Sequence, residues 1–271
     1  MKSLVPWFVV ATIVVTATVL TAQNPTPRAT VASKAGLASE RVVRIDRALQ
    51  QYVDDNRIAG IVALVLRDGQ PVYEHAVGWS DKEAGRKMTT DTIFRIASQT
   101  KAITSTAILS LVEEGKLTIN DPVSRVIPQF AKTTVATGGS VVPAKRPITI
   151  RDLLTHTAGI SYGTEPVIAS QYEAKGLGPA AGFGWYTADK DEPVCSTMER
   201  LATLPFVAQR GEQWVYGYNT DILGCVVERA SGMPLDAFIK TRITQPLRMT
   251  DTQFFLPAAD WPRSTRAAMT G

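Results

Sequence analysis

The chain has 271 residues, 45% of them apolar and 20% charged, which excludes a disordered chain, a collagen-like repeat and a polytopic membrane protein. Lysine and arginine total 29 against 25 acidic residues, a net charge of +4, and the basic residues are scattered singly. No basic stripe of the kind a nucleic-acid surface needs is present.

The N-terminus opens with Met1-Lys2, then runs from Leu4 to Leu20 without a charge and reaches the small residue Ala22 before Gln-Asn-Pro-Thr-Pro. This pattern predicts a secretory signal peptide over 1–22, followed by a flexible leader over 23–36. The alternative is a single membrane anchor, although the run is shorter than the ~20 residues a spanning helix prefers. Either reading puts the remaining chain outside the cytoplasm, secreted or periplasmic. Two cysteines, Cys195 and Cys225, are too few for a disulfide-dense scaffold or a four-cysteine zinc site. They can pair in an oxidising compartment, and a buried free thiol at Cys225 fits its apolar surroundings equally.

From Ser39 the apolar spacing Val42, Val43, Ile45, Leu49, Val53 predicts a helix to about Asp55. Two apolar runs, from Gly60 and from Pro71, flank Asp68-Gly69 and predict a hairpin. A second helix is expected from Ser98 to Glu114, stopped by Gly115. Asp121-Pro122 and Thr149 each open a short helix, with Pro122 at a first helical position. Residues 160 to 200, rich in glycine, proline and aromatics, read as a long loop region in which Tyr162, Trp185 and Tyr186 are candidates to line a pocket. Thr220 to Ala230 is helical up to Gly232, and Pro234 starts another helix. The order predicts an α+β fold, a sheet flanked by helices plus a helical lobe over about 98–215. Only two strands stand out, and the segment from Trp261 to Gly271 shows no terminating element, so the chain reads as cut off.

Ser98-Gln-Thr-Lys101 is the one Ser-x-x-Lys in the chain. Residues three apart share a helix face, so the amine can reach the hydroxyl. A serine needs such a base to become a nucleophile. At a helix N-terminus it would also meet a dipole that favours a developing oxyanion.

Three segments occur in order: Phe94-Arg-Ile-Ala-Ser-Gln-Thr-Lys-Ala-Ile-Thr-Ser, Leu153-Leu-Thr-His-Thr-Ala-Gly-Ile-Ser-Tyr, and Trp214-Val-Tyr-Gly-Tyr-Asn-Thr-Asp-Ile-Leu-Gly. Together they resemble the serine β-lactamase-like family, which includes class C β-lactamases, penicillin-binding D,D-peptidases and family VIII carboxylesterases. The resemblance covers about residue 40 to 271 and implies a β-lactamase/transpeptidase-like fold for the domain 37–271. It implies that Ser98 is acylated, that Lys101 helps activate it, and that Tyr216 relays protons. No metal or organic cofactor is implied, and the substrate would be a small ester, amide or β-lactam.

The pattern departs from the family in two places. Its second motif is usually Tyr-x-Asn, whereas here Tyr216-Gly-Tyr-Asn219 puts the asparagine one position late. Either Asn219 takes the polar substrate-binding role, or Tyr218 occupies its place and the role is lost. This favours esters over β-lactams. The family's third motif, usually Lys-Thr-Gly or His/Trp-x-Gly, does not occur before Gly271, which implies missing C-terminal strands. A fragment, a truncated reading frame and a degenerate, non-catalytic relative that binds cell-wall peptide or acyl ligands all fit that departure.

Gly159-Ile-Ser-Tyr-Gly163 matches the nucleophile-elbow pattern, but an elbow needs a strand before it and a later histidine. Both histidines, His75 and His156, come earlier. His75 is expected on a strand face, and His156 to bond locally in its helix-turn segment. Two distant histidines do not make a zinc site. Asp121, Asp152 and Asp221 read as caps or first-turn acids.

Overall fold

The computed structural model describes residues 38–178, 187 and 191–265. The expected signal peptide, the leader, Trp185 and Tyr186 lie outside the described residues. The chain divides into two compact units, one reaching Thr92 and the other running from Ile93 to Ser264.

In the first unit, α1 (Ser39–Asp54) precedes β1 (Gly60–Arg67), β2 (Gln70–Asp81) and β3 (Arg86–Lys87). The three strands form one antiparallel sheet in the order β1-β2-β3. Asp68 and Gly69 both have positive φ, 50° and 73°. That is the backbone twist a two-residue hairpin requires, and it explains the Asp-Gly pair. Tyr73 donates its hydroxyl to Asp46 of α1 at 2.7 Å. Burial and this carboxylate push its phenol well above the ordinary range. His75 lies on β2, with Nε2 3.9 Å from Asp46.

The second unit contains α2 (Thr100–Glu113), a sheet of β4 (Thr134–Thr137), β5 (Ser140–Pro143) and β6 (Pro205–Phe206), and the helices α3 (Ile150–Leu154), α4 (Ala169–Ala174), α5 (Val194–Leu201), α6 (Asn219–Ser231) and α7 (Leu235–Ile239). The sheet order is β5-β4-β6, with β6 parallel to β4. The core is built around α6, whose Ile222, Leu223, Cys225, Val226 and Val227 are fully buried. Ala107, Ile108 and Leu111 of α2, Leu153 of α3 and Met198 and Leu201 of α5 belong to the same apolar cluster. Each fully buried aliphatic side chain contributes about 1.5–3 kcal/mol of transfer free energy. Cys195 and Cys225 form a disulfide between α5 and α6, which decides between the two cysteine readings. Thr149 and Asp152 form a capping box that starts α3.

Several expectations are corrected. The loop region 160–200 carries α4 and all but the last residue of α5. Strands β4, β5 and β6 were not legible, being only two to four residues long. Pro122 precedes its helical turn rather than opening it. Asp121 accepts from the Thr118 backbone and from Arg125, closing a loop rather than capping a helix. Near the C-terminus, Ala258–Arg263 form a 3₁₀ turn where no element was expected. Ser161, the centre of the elbow pattern, is 1% exposed. Its hydroxyl donates to Glu165 and accepts from Gly163, so it has no nucleophile's access.

Among the described residues, no helix is long and apolar enough to cross a membrane.

Candidate active site

Ser98 sits in the 3₁₀ turn Ala97–Gln99 that leads into α2. The preceding residue, Ala97, has φ 43°, a left-handed conformation that a non-glycine residue adopts at a cost. This turn sets the exposed Ser98 at the helix N-terminus. One helical turn on, Lys101 donates from Nζ to the Ser98 oxygen at 3.2 Å. Its Nζ also donates to the Tyr162 hydroxyl at 3.4 Å and stands 4.6 Å from the Tyr216 ring centre.

Tyr216 comes from the segment that enters α6, and its hydroxyl donates to the Ser98 oxygen at 2.7 Å. Its ring is held on three sides. His156 stacks on it at 5.0 Å and 27°, Trp214 at 5.7 Å and 26°, and Tyr162 meets it edge-on at 5.8 Å. Such pairs add about 0.5–1.5 kcal/mol each beyond area burial. The next residue, Gly217, has no room for a side chain: a Cβ would lie 2.4 Å from the Ile160 carbonyl oxygen. The segment therefore packs backbone to backbone against 160–161.

Ser98, Lys101 and Tyr216 are brought together, with Tyr162 at their edge. The two remaining sequence candidates are not. Tyr218 is fully buried and donates its hydroxyl to the Leu177 carbonyl at 2.7 Å. Asn219 is fully buried at the start of α6, and its Nδ2 donates to the carbonyls of Val215 at 3.2 Å and Ile160 at 3.3 Å. Neither presents a polar group at the surface, so their expected substrate-binding roles are corrected to structural ones. Both point inward because α6 begins here and its first turn faces the core.

His156 was expected to bond within its own segment, and its backbone N–H does donate to the Leu153 carbonyl at 3.2 Å. Its ring Nδ1 lies 3.1 Å from Asn219 Nδ2, 63 residues away, which was not expected. The one sequence signal for it was its place in the Leu153-Leu-Thr-His156 segment. Asp221, expected as a first-turn acid of α6, accepts from the Thr187 hydroxyl at 2.8 Å. Burial pushes its carboxyl above the usual carboxylate range, against the pull of Thr187 and Lys101.

Burial opposes the charge on Lys101, but the hydrogen bond with Tyr216 and the neighbouring Tyr162 hold its pKa above the ordinary lysine value. Burial raises the Tyr216 phenol, yet Lys101 and Ser98 together bring it below the ordinary tyrosine value. Both shifts favour the same state, an ammonium beside an ionising phenol. Among the described residues there is no group of three or more histidine, cysteine or acidic side chains able to hold a metal ion.

Comparison with known proteins gives the same assignment. Residues 45–271 match the Beta-lactamase family, and the chain belongs to it. Esterase EstB of Burkholderia gladioli is 39% identical over 217 residues, covering 80% of this chain and 52% of its own length. The solved structure of EstCE1, described as a hydrolase with promiscuous acyltransferase activity, superposes with a TM-score of 0.68 at 28% identity, over 89% of this chain and 57% of its own. The octameric penicillin-binding protein homologue from Pyrococcus abyssi gives a TM-score of 0.59 at 29% identity, over 77% of this chain and 43% of its own. The fold is thus of the β-lactamase/transpeptidase type, and the chain spans about half the length of the relatives it matches.

Proposed function

We propose that the chain carries the nucleophile and proton relay of a serine hydrolase that acts through an acyl-enzyme on esters of small carboxylic acids. The observation that carries this reading is the 2.7 Å contact between Tyr216 and the Ser98 oxygen, with the Lys101 ammonium beside both. In the ionised state the Tyr216 phenolate takes the Ser98 proton as Oγ bonds to the substrate carbonyl carbon. The resulting oxyanion develops near the N-terminus of α2, whose dipole favours negative charge. Tyr216 then returns the proton to the departing alkoxide, and the C–O bond breaks to leave the acyl-Ser98 ester. A water molecule enters, gives its proton to Tyr216 and attacks the ester. The carboxylic acid leaves as Ser98 regains its proton. Lys101 remains an ammonium throughout and keeps the phenol acidic.

Esters are favoured over amides because Asn219, which stands one position from the place of the family's asparagine, turns inward and does not offer its amide to a peptide or β-lactam carbonyl. The description of EstB as an esterase agrees with that preference. β-Lactams or D-amino-acid peptides are the second substrate class, and the likeness to a penicillin-binding protein homologue supports the β-lactam part. The protein is read as secreted or periplasmic, supported by the N-terminal pattern to Ala22 and by the Cys195–Cys225 disulfide.

The test is hydrolysis of a p-nitrophenyl ester of a short fatty acid. A burst of one nitrophenolate per chain, followed by slower turnover and absent from Ser98→Ala, is expected. Comparable turnover by Ser98→Ala would refute the reading.

A further inference from the structure

We propose that His156, as a neutral imidazole, is a positioning residue that holds Tyr216 against Ser98, and that uptake of a second proton by His156 disarms the site. The proposal deepens the serine-hydrolase reading and rests on it.

Four contacts join His156 to the segment that carries Tyr216. Its backbone carbonyl accepts from the Val215 N–H at 2.8 Å. Its ring stacks on Tyr216 and meets Trp214 at 5.8 Å. Its Nδ1 faces Asn219 Nδ2, on the first residue of α6. The orientation of that amide is fixed independently of the histidine, because Nδ2 is also bonded to the carbonyls of Ile160 and Val215. An amide nitrogen only donates, and its two hydrogens are shared among Nδ1 and the two carbonyls, so a ring N–H on Nδ1 would meet no acceptor there and the single ring proton is placed on Nε2. His156 also has φ 57°, a conformation held only where the surroundings demand it. The residue is therefore gripped through its backbone, its ring face and one ring nitrogen, and each grip leads to residues 214–219.

Protonation would reverse the nitrogen contact. An Nδ1–H would point at the Asn219 amide hydrogens, and the new positive charge would stand near the Lys101 ammonium. Tyr216 is the titratable group stacked on the ring; the others of the site are Tyr162 on the segment after α3 and Asp221 on α6, which acts electrostatically on both phenols. Asp152 of its own helix is engaged by Arg146 and Arg210. Burial, and then Lys101, lower the proton affinity of His156 below that of an ordinary histidine. The site is thus armed at neutral pH and disarmed in acid.

The experiment is the rate constant for acylation of Ser98 by a fluorophosphonate, measured against pH for wild type, His156→Asn and His156→Leu. Asparagine tolerates the left-handed backbone and offers a carbonyl oxygen to the Asn219 amide. His156→Asn is expected within about 10-fold of wild type near pH 8, and His156→Leu at least about 100-fold slower, with the loss in the rate constant rather than in reagent affinity. In wild type the logarithm of the rate should fall with slope one where Tyr216 alone protonates. The slope should steepen toward two below the His156 pKa, while His156→Asn keeps slope one. If His156→Leu does not fold, the slopes of wild type and His156→Asn still decide. Equal losses in two folded variants, or a wild-type slope of one throughout, would overturn the proposal. No labelling of wild-type Ser98 at any pH would instead overturn the hydrolase reading and the proposal with it.

Discussion

The Tyr216 hydroxyl lies 2.7 Å from the Ser98 oxygen although 118 residues separate them. Ser98 is set by the entry to α2 and Tyr216 by the entry to α6, and these two helices pack against each other in the core. The geometry of the relay is therefore fixed by the best-buried part of the unit. Tyr216→Phe removes only the hydroxyl and keeps the ring stack. Ester hydrolysis should fall about 10²–10⁴-fold, with stability within about 0.5 kcal/mol of wild type. Steady-state kinetics beside a denaturant titration checks both halves.

Lys101 keeps the phenol acidic, so its removal should move the pH dependence as well as the rate. In Lys101→Met the apolar stem stays but the ammonium beside Tyr216 is gone. The phenol pKa should then rise toward its ordinary value of about 10. Because the active form is the phenolate, the rising limb of the residual activity should move to higher pH. A pH–rate profile of the variant that rises at the wild-type position would show that Lys101 does not tune Tyr216.

Asp152 anchors the start of α3. It accepts from Thr149 in the capping box and pairs with Arg146 and Arg210, and its side chain is 8% exposed. Burial raises its pKa, but Thr149 and Arg146 outweigh this and hold the carboxyl below the usual range. A depressed folded-state pKa contributes stability above the unfolded value of about 3.9, and that stability is lost as pH falls through the folded value. Asp152→Ala leaves Arg210 buried without its partner and should cost about 3–5 kcal/mol at neutral pH. The gap from wild type should narrow below about pH 4. Urea unfolding at several pH values measures this.

Breaking the Cys195–Cys225 link should also be costly. The two cysteines are 30 residues apart. In the chain-entropy account, releasing a loop of that size costs about 3–4 kcal/mol. Urea unfolding with and without dithiothreitol should show a lower midpoint for the reduced chain.

Ser98 and Lys101 were legible because a three-residue spacing lets the amine reach the hydroxyl and because their flanking segment resembles a family motif; the spacing alone is a weak signal, and Ser98 lies in the 3₁₀ turn before α2. The first helix and the hairpin were legible because apolar spacing and Asp68-Gly69 are local signals. Tyr216 was reachable only through its resemblance to a family motif, since nothing local marks one tyrosine among several. The pairing of His156 with Asn219 was not legible: it joins residues 63 apart and depends on a left-handed backbone at His156. Asn219 and Tyr218 were misassigned because a motif letter does not say which way a side chain points. The start of α6 decides that, and it turns both into the core. Strands β4 to β6 are too short for alternation to show, and their pairing is set by tertiary packing.

The central claim is that Ser98 is an activated nucleophile. Intact mass of the chain after treatment with a fluorophosphonate ester tests it most directly, beside Ser98→Ala under the same conditions. The account predicts one adduct on wild type, mapped to Ser98, and none on the folded variant. A wild-type chain that unfolds cooperatively yet takes up no adduct, or a Ser98→Ala variant labelled as well as wild type, would contradict it.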